Sequence, residues 1–324
     1  MYSNKELVEK IECAIENLRL NKKPDGLYDP ISYVLSIGGK RIRPTLLLLA
    51  YNLYGEEIEK AMSAALAVET YHNFTLLHDD LMDCADKRRG KDTVHKVWND
   101  NTAILSGDAM LILSYHYLSQ SSSNYLSLVL PEFTKFALEI CEGQQYDMEF
   151  EKRTDVLAEE YLDMIKLKTS VLLAGSMKIG AILGGASAKD QELLYHVGLN
   201  VGLAFQLKDD LLDVYGDPKV FGKNLGGDIV SNKKTYLLIK ALERADEEQK
   251  HNLLYWLGLN EFDAEEKIKA VTELYNELKI KDLVENKMDS FYNQALIDLE
   301  KVSVPKDKKN ELLVFINKLM EREL

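Results

Sequence analysis

Apolar residues recur at intervals of three and four positions along almost the whole chain, and this periodicity restricts the possible folds more than any other feature. Residues 5–20 show it first, with Leu7 and Ile11 on one helical face. Ser3 is followed three residues later by Glu6, which is the spacing of a capping box at the start of a helix. The pattern therefore predicts an amphipathic helix at the beginning of the chain.

The same periodicity predicts helices as far as the C-terminus. Pro44 suits the first turn of a helix, and it precedes an apolar run that predicts a buried helix ending near Gly55. Further helices are expected near 58–83, 99–118, 125–150, 156–184, 189–215, 233–244, 246–257, 263–280, 282–302 and 307–322. Apolar and polar residues do not alternate between hairpin turns, so we expect no sheet. Because no linker rich in Pro, Ser or Gly divides the sequence, we predict one all-α domain spanning residues 1–324.

Charge and cysteine content exclude several classes of protein. Lys and Arg total 40 and Asp and Glu total 53, which gives a net charge of −13, whereas a nucleic-acid or anionic-membrane binder would be basic. Three widely spaced cysteines exclude a fully paired disulfide framework and favour the reducing cytoplasm. The N-terminus does not have the pattern of a signal peptide, and no apolar run approaches the roughly 18 residues of a membrane span, so no transmembrane segment is expected.

Two aspartate-rich motifs lie at the ends of predicted helices. The pattern Asp-Asp-x-x-Asp occurs first as Asp79, Asp80 and Asp83 and again as Asp209, Asp210 and Asp213. Residues four apart share one face of a helix, so the outer aspartates of each motif repel each other unless a cation lies between them. A few carboxylates with room for water and phosphate are the ligands that Mg²⁺ prefers. A solvated acidic helix end is the alternative, but two copies are poorly explained in this way because aspartate is unfavourable inside helices and at their C-terminal ends.

Basic residues cluster close to the same places. Gly38 and Gly39 precede Lys40, Arg41 and Arg43 on one predicted loop. Further cations follow the two motifs, namely Arg88 and Arg89 after the first and Lys223 and Lys233 after the second. This pairing of acidic and basic groups suits a diphosphate ligand, in which metal ions bridge part of the anion and Lys or Arg neutralise the rest. The glycine-rich patterns of ATP and NAD sites are absent from the sequence.

Taken together, the two motifs, the loop Gly38-Gly39-Lys40-Arg41-Ile42-Arg43-Pro44 and the segment Phe205-Gln206-x-x-Asp209-Asp210 resemble the trans-isoprenyl diphosphate synthases, or polyprenyl synthetases, from about Lys40 to Thr235. The resemblance implies the isoprenoid synthase fold, an all-α helical bundle around a deep central cavity, and a homodimer. It also implies head-to-tail condensation of isopentenyl diphosphate with an allylic diphosphate, with three Mg²⁺ ions in each active site.

The resemblance further implies roles for individual residues. The Mg²⁺ ligands would be Asp79, Asp83 and Asp209, supported by Asp80, Asp210 and Asp213. The allylic diphosphate would be bound by Arg88, Lys168, Lys223 and Lys233. Isopentenyl diphosphate would be bound by Lys40, Arg43, His72 and Arg89. Oxygen dipoles would be directed at the reacting allylic cation by Thr169 and Gln206, with Gln144 and Asp147 around them. On the residues alone, His72 is better explained as a core histidine and Lys168 as a solvated lysine.

Product length is predicted from the helix that leads into the first motif. Phe74 lies five residues before Asp79, about 7.5 Å along the helix axis, and Tyr71 lies about 12 Å before it. In the family that the sequence resembles, an aromatic residue at the fifth position marks short products. With Thr75 too small to block the path, the resemblance implies a C15 or C20 product. Alternatively, Phe74 and Tyr71 are core residues that face away from the cavity.

Two other functions remain open on the sequence. A class I terpene cyclase shares the first motif, although such cyclases normally replace the second with an Asn/Ser/Glu set. A non-catalytic subunit of a heteromeric synthase is the other possibility, although such subunits tend to lose an acidic motif. The sequence departs from the pattern at Cys84, where Asn or another small polar residue is expected.

Overall fold

The computed structural model describes residues 2–216 and 225–321. The chain divides into two compact units. Unit 1 contains Met1–Thr134, Gly175–Leu194 and Ser303–Leu312, and unit 2 contains Lys135–Ala174, Tyr195–Val302 and Leu313–Leu324. Regular structure in the described residues is almost entirely helical, which confirms the predicted all-α class. The assignment of residues 1–324 to one domain stays a prediction.

The N-terminal part of unit 1 is built on a buried helix and the long helix that follows it. Its helices are α1 (Asn4–Glu16), α2 (Asp25–Ser36), α3 (Ile42–Asn52), α4 (Glu59–Met82), α5 (Val94–Val97) and α6 (Asp100–Leu118). The predicted capping box begins α1, where the backbone N–H of Ser3 donates to Glu6 Oε2 at 2.8 Å. Pro44 lies in the first turn of α3, as predicted. Helix α4, which carries the first motif, packs against α3 and α6.

A small antiparallel hairpin follows α4. Strand β1 (Lys87–Arg88) pairs with β2 (Lys91–Asp92). The two residues between the strands, Arg89 and Gly90, have φ values of 51° and 77°, which matches the two-residue type I′ turn. The prediction of no sheet is therefore wrong at this point. Its strands are only two residues long and polar, so their sequence has no apolar-polar alternation to reveal them.

The other described residues are also mainly helical. It contains α7 (Ser123–Glu151), α8 (Ala158–Ile165), a π-helix (Lys166–Ser170), α9 (Val171–Gly184), α10 (Ala188–Tyr215), α11 (Gly227–Val230), α12 (Tyr236–Arg244), α13 (Glu247–Gly258), α14 (Ala264–Glu277), α15 (Ile280–Lys301) and α16 (Lys306–Met320). The π-helix interrupts the helix predicted at 156–184. A Cβ atom at Gly143 would lie 2.2 Å from the backbone N of Lys168, and one at Gly202 would lie 2.6 Å from Ser170 Cα. These glycines let α7 and α10 approach the π-helix closely.

One helical span, Ala158–Gly184, has the length and apolar composition that a membrane crossing requires. Its most apolar window is 72% buried within the protein, as in the core helices of many proteins that do not cross a membrane. The sequence prediction of no such apolar run is therefore wrong on composition alone.

Candidate active site

The first aspartate motif is fixed by the way in which α4 ends. Asp83 caps the helix, and Cys84 adopts a left-handed conformation with φ of 52°. The backbone N–H of Ala85 donates to Asp80 O at 2.9 Å, and that of Cys84 donates to Leu81 O at 3.2 Å. These two bonds form a Schellman motif, whose left-handed position favours Gly or Asn. The expectation of Asn at position 84 therefore has a conformational basis.

Asp80 is paired with an arginine from the hairpin. Arg88 Nε donates to Asp80 Oδ2 at 2.7 Å, and Arg88 Nη2 lies 2.6 Å from Asp80 Oδ1. Burial raises the pKa of Asp80, and the adjacent Arg88 opposes that shift. Arg88 Nη2 also lies 3.7 Å from Asp79 Oδ2. The hairpin thus brings Arg88, a residue predicted to bind the allylic diphosphate, into contact with the first motif.

The remaining carboxylates of the first motif are accessible to solvent. The side chain of Asp79 is 20% exposed, and Asp83 is exposed. Within residues 2–216 and 225–321, no three His, Cys, Asp or Glu side chains lie close enough together to hold a metal ion. Mg²⁺ is commonly held by one or two carboxylates together with substrate phosphates and water. The all-oxygen donors of Asp79 and Asp83 fit that pattern.

The loop before α3 has a different charge distribution from the one that its sequence suggests. Arg41 is buried, and its guanidinium donates to both carboxylate oxygens of Glu12, to Glu69 Oε1 at 2.6 Å and to Leu35 O. These contacts occupy the guanidinium within the protein. The prediction that Arg41 adds a third positive charge for a ligand is therefore wrong, whereas Lys40 is exposed.

Arg89 connects the hairpin to this loop. Its Nη1 donates to the carbonyl oxygen of Gly38. A Cβ atom at Gly39 would lie 2.6 Å from Arg89 Nη1, and Gly39 has a φ of 152°. Glycine at this position therefore leaves the space that the guanidinium occupies. Two residues predicted to bind isopentenyl diphosphate, Lys40 and Arg89, lie on neighbouring segments.

The other two residues predicted to bind isopentenyl diphosphate, Arg43 and His72, are in direct contact. Arg43 Nη1 lies 3.0 Å from His72 Nε2. Burial and the nearby positive charge of Arg43 hold the pKa of His72 well below its usual range. Arginine can only donate, so Nε2 is the acceptor and the proton of the neutral ring is on Nδ1. The structure therefore brings together the two residues without adding a second positive charge.

The residues predicted to limit product length belong to a buried aromatic cluster. The rings of Tyr71 and Phe74 meet edge to face with centroids 5.4 Å apart, and Tyr71 contacts Phe133 in the same way at 5.5 Å. Phe74 also contacts the ring of His78. Thr75 is half-buried, and its hydroxyl donates to His72 O at 2.8 Å. The cluster is continuous within unit 1, and its role in product length stays a prediction.

In unit 2, Lys168 and Thr169 lie in the π-helix, a conformation that is often found at functional sites. Lys168 Nζ lies 2.5 Å from Asp147 Oδ2, so the predicted supporting residue Asp147 directly neutralises this lysine. Gln144 lies one turn before Asp147 on α7. A ligand anion at Lys168 therefore competes with a carboxylate already in place.

A chain of hydrogen bonds joins the π-helix to the second motif. Thr169 Oγ1 donates to Gln206 Oε1 at 3.1 Å, and Gln206 Nε2 donates to Asp210 Oδ1 at 3.1 Å. The other oxygen of Asp210 accepts a hydrogen bond from the hydroxyl of Tyr161. Burial, followed by the negative charge of Asp228, raises the pKa of Asp210 to about 7.

The outer aspartates of the second motif lie within α10, where Asp209 and Asp213 are both half-buried. Asp213 Oδ2 accepts a hydrogen bond from the backbone N–H of Asp228 at 3.0 Å. Lys233 Nζ lies 4.0 Å from Asp228 Oδ1. Lys233, which is predicted to bind the allylic diphosphate, therefore lies near the second motif. Lys223 lies outside the described residues.

Comparison with known proteins assigns the family. A family model described as "Polyprenyl synthetase" matches residues 24–275, which is more than half of the chain. The chain belongs to the polyprenyl synthetase family. This assignment confirms the resemblance to the trans-isoprenyl diphosphate synthases and makes the protein a prenyltransferase.

Named relatives and a solved structure support the same assignment for this polyprenyl synthetase. It is 38% identical to geranylgeranyl diphosphate synthase of Methanosarcina mazei, over 97% of this chain and 95% of that protein. It is 40% identical to geranylfarnesyl diphosphate synthase of Natronomonas pharaonis, over 69% of this chain and 71% of that protein. A crystal structure of a geranylgeranyl pyrophosphate synthase superposes with a TM-score of 0.95 and 44% identity, covering 100% of both chains.

Sequence reasoning missed two polar residues near the sites of this polyprenyl synthetase. Tyr161 belongs to no sequence motif, and no local pattern identifies its contact with Asp210. Asp228 carried a weak signal, because it follows Gly226 and Gly227 and precedes Lys233 by five positions. Both depend on contacts between residues that are distant in the sequence or separated by a loop.

Proposed function

We propose that this polyprenyl synthetase catalyses the Mg²⁺-dependent head-to-tail condensation of isopentenyl diphosphate with allylic diphosphates, giving a short all-trans prenyl diphosphate. The observation that carries the proposal is that both aspartate motifs are intact and that cations lie beside each one, Arg88 at the first and Lys233 at the second. The sequence implies C15 or C20, and the named relatives make geranylgeranyl (C20) and geranylfarnesyl (C25) products. We therefore propose C20 as the main product.

The proposed Mg²⁺ ligands are Asp79, Asp83 and Asp209, and three ions per active site are expected. Bound Mg²⁺ would neutralise the charge that develops on the leaving diphosphate as the allylic C–O bond breaks. Arg88 supplies positive charge for the same diphosphate, because its guanidinium already lies within 3.7 Å of Asp79. No side-chain nucleophile is required for this ionisation.

In unit 1, we propose that Lys40, Arg43, His72 and Arg89 bind isopentenyl diphosphate. Neutral His72 contributes a ring nitrogen that accepts from Arg43 and orients its guanidinium without adding charge. The double bond of the bound isopentenyl group attacks the allylic carbon, and a proton is then lost to the departed diphosphate.

In unit 2, Lys168, Lys223 and Lys233 are proposed to bind the allylic diphosphate, with Thr169 and Gln206 directing oxygen dipoles at the cation. An allylic cation is quenched by water, so these dipoles stabilise it in the absence of solvent. Breaking the contact between Lys168 and Asp147 frees the ammonium group for phosphate.

We also propose a homodimer in the cytoplasm. On α6, Leu105 and Ile112 are 60% and 69% exposed and lie seven residues apart on one helical face. Exposed apolar surface of this kind marks a protein contact. The variant Leu105→Glu with Ile112→Glu should elute as a monomer in size-exclusion chromatography with light scattering.

All three cysteines are exposed and unpaired, which suits a reducing compartment.

The test of the function uses the purified protein alone with Mg²⁺, isopentenyl diphosphate and dimethylallyl, geranyl or farnesyl diphosphate. Mass spectrometry of the dephosphorylated products should show linear C20 alcohol. Consumption of allylic diphosphate without isopentenyl diphosphate, giving cyclic hydrocarbons, would instead identify a terpene cyclase. Absence of turnover except with a partner synthase would identify a non-catalytic subunit. Excess EDTA should abolish turnover, and turnover in its presence would refute the metal requirement.

A further inference from the structure

The hydroxyl of Tyr161 ends a buried chain of hydrogen bonds that leads to two proposed active-site residues. Tyr161 is 1% exposed and Asp210 is 3% exposed, so the contact between them is excluded from water. From Asp210 the chain continues through Gln206 to Thr169. All four residues belong to unit 2.

Asp210 sets the direction of the hydrogen bonds in this chain. Its Oδ1 accepts from the amide nitrogen of Gln206, so the carbonyl oxygen of the same amide faces Thr169, whose hydroxyl donates to it. Gln206 lies one helical turn before Asp210 on α10, which brings the two side chains onto one face. Asp210 therefore decides which end of the Gln206 amide points toward the π-helix.

The hydroxyl of Tyr161 in turn fixes Asp210. It donates to the carboxylate oxygen that Gln206 does not use, so both oxygens of Asp210 are held by donors from different elements. Without this hydroxyl, one buried oxygen of Asp210 loses its hydrogen-bond donor, and the rotamer of the Asp210 side chain is less strongly fixed. The amide of Gln206 would then lose its fixed orientation.

We propose that Tyr161 is a positioning residue for the prenyl transfer reaction, acting through Asp210 to hold the Gln206 carbonyl and the Thr169 hydroxyl in the orientation that stabilises the allylic cation. This inference rests on the proposed function. It assigns Tyr161 an effect on the chemical step and none on the binding of either diphosphate.

The test compares Tyr161→Phe with the wild-type protein in steady-state assays. Tyr161→Phe should lower kcat by about 10- to 100-fold, the range found when residues that orient active-site ligands are changed, while KM for both substrates and the half-saturating Mg²⁺ concentration stay within about twofold. The matched control is Tyr292→Phe, which removes a hydroxyl that donates to Asn317 Oδ1 at 2.5 Å in the same unit. The control should keep the wild-type kcat.

A double-mutant cycle separates positioning from general loss of structure. If Tyr161 acts through the chain, Gln206→Ala with Tyr161→Phe should have nearly the same kcat as Gln206→Ala alone, because both groups that Tyr161 orients are reached through Gln206. Multiplicative losses in the double variant, or wild-type kcat in Tyr161→Phe, would overturn the proposal. If Tyr161→Phe does not fold, Asp210→Ala replaces it, because it removes the acceptor that fixes the Gln206 amide. A wild-type kcat in folded Asp210→Ala would also overturn the proposal. An inactive wild-type protein would instead refute the proposed function.

Discussion

Replacing Phe74 with alanine should lengthen the product by one five-carbon unit. Phe74 and Tyr71 are three residues apart on α4, which separates them by about 4.5 Å along the helix axis. A five-carbon unit adds four carbon-carbon bonds of about 1.5 Å, or roughly 5 Å of zigzag chain. The spacing between the two rings along the helix therefore equals about the length of one five-carbon unit of the product. Phe74→Ala should change the main product from C20 to C25, and Phe74→Ala with Tyr71→Ala should give C30.

The same substitution removes a buried ring and lowers stability. Deleting a buried phenylalanine side chain costs about 3–5 kcal/mol of unfolding free energy, so thermal unfolding must show that each variant is folded at the assay temperature. Thr75 supplies the matched controls. Thr75→Ala removes only a small half-buried side chain and should leave the product at C20, whereas Thr75→Phe should shorten it to C15.

The assay incubates each variant with Mg²⁺, isopentenyl diphosphate and dimethylallyl diphosphate, and then separates the dephosphorylated alcohols by chain length. A folded, active variant lacking both rings that gives an unchanged product distribution would show that Phe74 and Tyr71 do not limit the product. The contact between the two rings, and that of Tyr71 with Phe133, would then be core packing.

Three further predictions concern stability. Arg41→Leu leaves the buried carboxylate of Glu69 without its positively charged partner and should lower the unfolding free energy by about 3–5 kcal/mol in denaturant titration, whereas Lys40→Ala should change it by less than about 0.5 kcal/mol. Cys84→Gly should stabilise the protein by about 1 kcal/mol, because glycine adopts the left-handed conformation without steric cost, and an unchanged or lower Tm would contradict this. Folding lowers the pKa of His72, so the unfolded chain binds a proton at this residue more readily than the folded protein does. The stability that the neutral His72 ring contributes is therefore present above about pH 6.5 and is lost as the pH falls below that value. His72→Gln should therefore flatten the unfolding free energy between pH 8 and pH 5, and an unaltered pH slope would count against the neutral ring.

Much of the fold could be predicted from the sequence because helical periodicity is a local signal. The helix predicted near 58–83 is observed at Glu59–Met82, and the capping box at Ser3 begins α1. The break at Lys166–Ser170 could not be predicted, because it accompanies close approaches by Gly143 and Gly202 from other helices.

The candidate site was predictable to the extent that its chemistry is local in sequence. The aspartate motifs and the arginines of the hairpin carry their signal in adjacent residues. The partners of Arg41 do not, because Glu12 and Glu69 lie far from it along the chain and only folding reveals that its charge is used internally. The contact between Tyr161 and Asp210 was hidden for the same reason.

The hairpin after α4 also bears on how the two substrates influence each other. Arg88 and Arg89 are successive residues at the start of its turn, and their guanidinium groups hold different partners, Asp80 and the carbonyl of Gly38. A diphosphate that draws one guanidinium away from its partner removes a contact that holds in place the hairpin carrying the other. Occupancy by the first substrate is therefore expected to change the affinity for the second, so the binding of the two diphosphates should be cooperative rather than independent.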